Sequence, residues 1–135
     1  TRQRFGFVVL IDCHSMPSSG ADSAVGMRPH FVIGDRFGTS AAEPVTRALK
    51  GALARAGYDV ALNRPYAGGY ITEHYGAPAA GAHALQLEVN RGLYMHEHSV
   101  ERHGGFVDVS TPVTGTGTTF ALHLPHGLHL PLRMT

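Results

Sequence analysis

One cysteine, no tryptophan and few charges make the shortages of this chain informative. With Cys13 alone no internal disulfide can form, so burial and hydrogen bonding must hold the fold, and the usage fits a reducing cytoplasm. Charged residues are 16% of the 135, and the formal net charge is +1 with histidines neutral. That balance gives no electrostatic case for nucleic acid or for a membrane surface. No apolar stretch approaches a membrane span, and the start lacks the form of a signal peptide. What remains is a globular composition, 43% hydrophobic, of one-domain length and able to bury a core. Ten histidines is a high count, but His103, His123, His126 and His129 show no ligand spacing and read as compositional.

The richest stretch is Ile11-Asp12-Cys13-His14-Ser15-Met16-Pro17-Ser18. The apolar run from Phe5 to Ile11, mostly β-branched over Phe7-Val8-Val9-Leu10-Ile11, predicts a strand buried on both faces that ends as a loop begins. Ligands of α/β folds gather at the carboxyl ends of such strands, so His14 stands where a catalytic group is placed. An Asp-x-His pair serves equally well as a hydrogen-bonded loop anchor, and this stretch alone does not separate the two. Thr1-Arg2-Gln3-Arg4 leads almost at once into this core strand, as if the chain were entered in the middle.

Downstream, Pro29 to Asp35 reads as a short second strand. Ala41, Val45, Ala48, Leu49, Ala52 and Leu53 recur at three- and four-residue spacing, which predicts an amphipathic helix from Ser40 to Ala56. Ser40 with Glu43 offers a capping box, and Gly57 offers the stop. Tyr58 to Leu62 reads as a third strand, and the long segment Asn63 to Pro78 as a loop whose Asn63, Arg64, Tyr66, Tyr70 and paired glycines suit binding. In the fourth strand, Ala84 to Val89, alternation sets Glu88 opposite the apolar side. Glu88 is then either a solvated strand carboxylate or an acid–base group aimed at the cleft of His14. The strand–helix–strand order predicts an α/β architecture, a layered mixed sheet flanked by helices.

Several blocks in register carry a stronger signal. Leu10 to Ser18, Phe31 to Asp35, Asn63 to Thr72, His83 to Arg91 and Leu93-Tyr94-Met95 together resemble the N-formylglutamate amidohydrolase (formylglutamate deformylase) family of histidine degradation. The likeness runs from about residue 6 to about residue 102, so residues 1–102 are expected to form the C-terminal part of such a domain. The resemblance implies a zinc-dependent hydrolase related in fold to zinc carboxypeptidases and aspartoacylases, acting on a small N-acyl amino acid. It implies that His14 is a zinc ligand, that Asp12 orients its ring, and that Glu88 is the general acid–base group. It further suggests Arg64 and Arg91, with Asn63 and Tyr70, as partners for the substrate carboxylates, although either arginine serves equally in a structural ion pair.

Two departures shape the expectation. The family's early His and Glu ligands have no counterpart here, and His96-x-His98 lies outside the matched positions. One ligand falls short of the three of a catalytic zinc, so weak zinc binding and impaired turnover are expected of this polypeptide alone. The tail, residues 103–135, departs from the family and predicts a β-hairpin; Gly115-Thr116-Gly117-Thr118-Thr119-Phe120 weakly resembles a histidine-kinase ATPase hairpin. Three functions follow: a deformylase domain, a non-catalytic binding or assembly fragment retaining half of the site, and, on the tail alone, a nucleotide-binding piece. A sheet edge exposed where the missing half belongs would favour homo-oligomers.

Overall fold

A computed structural model describes residues 2–19, 29–103, 106–110, 119–123 and 129–132, the last three stretches as strands only. The chain divides into two compact units, Thr1–Asn90 and Arg91–Thr135.

The first unit is a mixed α/β layer. After a one-turn helix α1 (Arg2–Phe5) come β1 (Val8–Met16), β2 (Phe31–Gly34), α2 (Glu43–Arg55), β3 (Val60–Leu62), α3 (Tyr70–Tyr75) and β4 (Ala82–Asn90). The sheet order is β1-β4-β2-β3, with β1 parallel to β4, β2 antiparallel to β4 and β3 parallel to β2. β4 therefore lies between two neighbours, and every residue from His83 to Asn90 is buried. Phe31, Val32 and Ile33 of β2 are removed from water completely, and Leu85, Leu87, Leu49, Leu53 and Tyr58 join them in the core. Each such side chain contributes roughly 1.5–3 kcal/mol by leaving water.

β1 differs from the reading of its sequence in two ways. It does not stop at Ile11 but continues through Met16, so Asp12 and His14 are strand residues paired to β4 along their whole length. It is also not buried on both faces: Phe7 and Leu10 are exposed, and among the described residues no strand pairs with its other edge. Position in the sheet decides this, because an outer strand has only one neighbour to cover it.

The helix is where periodicity placed it, yet its start is not. α2 begins at Glu43 with Pro44 in its first turn, and no side chain caps it. Ser40 instead donates its hydroxyl to the carbonyl of Ala84 at 2.8 Å, tying the loop before the helix to β4. Thr46, not Ala48, completes the buried face, because its hydroxyl donates to Asp35 Oδ2 at 2.8 Å. Gly57, at φ 87°, takes the left-handed conformation just past the helix.

The second unit has a 3₁₀ turn (Arg91–Leu93) and a short hairpin, β5 (Met95–His96) with β6 (Glu101–Arg102). β7 (Phe106–Ser110), β8 (Thr119–His123) and β9 (His129–Leu132) form an antiparallel sheet. The Gly115 to Thr118 turn of the predicted hairpin lies outside the described residues. No helix among the described residues is long and apolar enough to cross a membrane.

Candidate active site

The site is built by register. Side chains two apart on a strand share a face, so Asp12 and His14 project together from β1, and Gln86 and Glu88 from β4. The parallel pairing sets Asp12 beside Gln86 and His14 beside Glu88. The result is a row of polar groups across two adjacent strands. Glu88, only 5% exposed, is no solvated strand carboxylate. His14 keeps 47% of its side chain open, so the cluster is floored by the buried acid and roofed by the accessible imidazole.

His14 Nε2 lies 2.9 Å from Asp12 Oδ2 and Nδ1 lies 3.9 Å from Glu88 Oε1. The first is a hydrogen bond and the second is too long to be one. An ionised carboxylate only accepts, so in the neutral ring Nε2 carries the proton and donates it to Asp12. That leaves the lone pair on Nδ1, turned toward Glu88. Asp12 thereby selects the tautomer. Alternate Cys13 projects from the other face of β1; desolvation, and secondarily the Asp12 carboxylate, hold its thiol above the ordinary range.

Glu88 is held from behind. Gln86 Nε2 donates to Glu88 Oε1 at 2.8 Å, and Gln86 Oε1 accepts from the Gly69 N–H at 2.8 Å. Gln86 escaped the sequence reading, although alternation alone puts residue 86 on the face of residue 88.

The expected substrate partners are less gathered. Asn63 has its carboxamide engaged elsewhere: Oδ1 accepts from the backbone N–H of Asp35 and of Phe37, and Nδ2 donates to Asp35 Oδ1 at 2.7 Å. Those bonds fix the bend after β2. Arg64 is exposed on the loop. Tyr70 opens α3, a helix where the sequence suggested continuous loop, and stacks its ring on His74 at 5.1 Å. Arg91 follows directly on β4 in sequence and opens the second unit. The ring of His96 lies 4.4 Å from that of His103.

A family model described as N-formylglutamate amidohydrolase matches residues 1–95. The chain belongs to the N-formylglutamate amidohydrolase family. It is 40% identical over 97 residues to an N-formylglutamate deformylase of Pseudomonas putida, covering 71% of this chain and 36% of that protein. Against the N-formylglutamate deformylase of Pseudomonas aeruginosa it is 36% identical over 99 residues, covering 73% and 37%. The crystal structure of the N-formylglutamate amidohydrolase from Ralstonia eutropha JMP134 superposes with a TM-score of 0.69 at 36% identity, over 76% of this chain and 38% of that one. The chain thus spans little more than a third of the length of these family members.

The donor set bears on the zinc that the family resemblance implies. Among the described residues no three His, Cys, Asp or Glu side chains converge as a metal-binding group. A catalytic zinc takes three protein ligands, so His14 and its neighbours do not fit such a site by themselves.

Proposed function

We propose that this chain carries part of a deformylase active site that hydrolyses the amide of N-formyl-L-glutamate, or of a close N-acyl amino acid. The observation that carries the reading is the near-buried Glu88 in register with His14, on a sheet shared with the family. Glu88 takes a proton from the attacking water and returns it to the nitrogen as the C–N bond breaks, leaving formate and the free amine. Asp12 holds the ring of His14 so that Nδ1 faces the reacting carbonyl region as a lone-pair donor. Arg64, with Tyr70 nearby in sequence, supplies a guanidinium suited to a substrate carboxylate. A small metabolite as substrate and a single thiol both fit a cytoplasmic setting.

Zinc enters this proposal only as an ion for which His14 offers one ligand. The other ligands must come from outside the described cluster, so the polypeptide alone is expected to bind zinc weakly and to deformylate poorly. The same incompleteness favours a second reading, a non-catalytic assembly fragment that pairs through the edge of β1 that no described strand occupies, with a second copy among its partners.

Formate release from N-formyl-L-glutamate and the zinc content of purified protein separate these readings. Little turnover is expected from the chain alone, and restored turnover on adding in trans the remainder of the Pseudomonas putida relative. In the restored assembly Glu88→Gln should lower the rate by about 10²–10⁴-fold. Stoichiometric zinc with robust turnover by the chain alone overturns the impairment. An assembly that forms but stays inactive overturns the hydrolase reading in favour of the fragment.

A further inference from the structure

We infer that Gln86 is a positioning residue that couples Glu88 to the loop between Asn63 and Gly69. The inference deepens the reading of Glu88 as the acid–base group and rests on it for its catalytic meaning. The chemistry fixes which way the Gln86 carboxamide points. Its Oε1 meets the Gly69 N–H, which only donates, so that end must be the oxygen; the amide end is then left for Glu88, whose carboxylate only accepts. Gln86 is 6% exposed and Glu88 5%, so the bond between them does not compete freely with water. An unbonded carboxylate on a buried strand would be left to several rotamers, whereas one with a fixed donor keeps its oxygens in one place.

The far end of the relay is equally constrained. Gly69 donates to Gln86 while its carbonyl accepts from the buried hydroxyl of Thr72 at 2.7 Å and the N–H of Glu73 at 3.1 Å. Two residues earlier, the carbonyl of Ala67 accepts from the N–H of Arg36 at 2.8 Å. The loop lies directly on β2: a Cβ at Gly34 would come within 2.5 Å of the Ala67 carbonyl carbon and 2.6 Å of the Gly68 nitrogen. Gly34 pairs with Gln86 across the sheet, so the absence of a side chain there is what lets the loop come down to reach the carboxamide. A Cβ at Gly69 would stand 3.4 Å from Gln86 Oε1, in van der Waals contact with the carboxamide. Displacement of the loop therefore reaches Glu88 through Gln86.

The test uses NMR of the chain without substrate, so it stands whether or not formate is released. Gln86→Met keeps the volume and removes both bonds; Gln86→Glu keeps the acceptor for Gly69 and removes the donor to Glu88. In Gln86→Met the Gly69 amide should exchange roughly tenfold faster, the scale of one lost hydrogen bond. The three-bond couplings of the Glu88 side chain should move from a single-rotamer pattern to an averaged one. In Gln86→Glu the Gly69 protection should persist while the Glu88 couplings average. Gly34→Ala, which leaves Gln86 intact, should reproduce the Gln86→Met pattern at both positions by lifting the loop. Glu88 couplings that stay single-rotamer in folded Gln86→Met, or in folded Gly34→Ala with an unprotected Gly69, overturn the coupling. A purely structural role would lower stability without separating the two readouts in Gln86→Glu. A restored assembly that releases no formate, with the couplings behaving as stated, would instead count against the hydrolase reading alone.

Discussion

Asn63 and Asp35, 28 residues apart in sequence, close on each other at 2.7 Å, amide to carboxylate. Asp35 is 6% exposed, and its oxygens also accept from the Thr46 hydroxyl and the Gly38 N–H, so its charge is surrounded by donors. Asn63 sits at φ 60°, a conformation asparagine tolerates better than most residues. Asn63→Ala removes a donor to a buried charge and strains the backbone together. It should cost about 1.5–3 kcal/mol in urea unfolding, the range for hydrogen bonds to charged groups. Asn63→Asp, which sets one carboxylate against another, should cost more.

The hydroxyl of Tyr58 is buried with no hydrogen-bond partner among the described residues, while its ring packs edge-on against Phe31 at 5.2 Å. A desolvated, unbonded hydroxyl opposes folding, and its ring does not need it. Tyr58→Phe should therefore leave stability unchanged or raise it by up to about 1 kcal/mol, read as a higher Tm. Burial also raises the phenol's pKa, so the wild-type protein should lose stability as pH climbs above the phenol's ordinary range, and the Phe variant should be spared that part.

Cys13 gives a second alkaline effect at lower pH. Desolvation, then the Asp12 carboxylate, raise the thiol's pKa in the folded chain, so the unfolded chain loses its proton first. Between the unfolded value, about 8.5, and the folded one, the native state binds more protons than the unfolded state. Stability is fully present below that window and falls as pH rises through it. Urea unfolding of wild type and Cys13→Ser at pH 7.5 and at about pH 9.5 should show a fall in the wild type that the serine variant lacks. The same raised pKa should make alkylation of folded Cys13 at neutral pH slower than that of the unfolded chain.

Much of the architecture could be read from residue order. Leu49 and Leu53 stood at helical spacing and are buried on α2; Leu85, Leu87 and Val89 alternated with Gln86 and Glu88 and form β4. The helix start misled because Ser40 is chemically a good cap, but a carbonyl of β4, distant in sequence, takes its hydroxyl instead. α3 was hidden by the Gly-Gly and Pro residues around it, which mark ends and not the six residues between. The bonds of Asn63 to Asp35 were not legible, because side-chain type alone cannot reveal a partner on another element.

The order of residues along the chain determined the alternation of Asp12 with His14 and of Gln86 with Glu88, because a strand's side-chain period is two. It also carried the family likeness, in blocks whose spacing survives along the chain. Tertiary structure alone decided that β1 and β4 are neighbours in a register that sets His14 against Glu88, and that β1 is an outer strand with Leu10 exposed. Strand pairing is a long-range choice, settled by which surfaces are buried together, and no local periodicity encodes it.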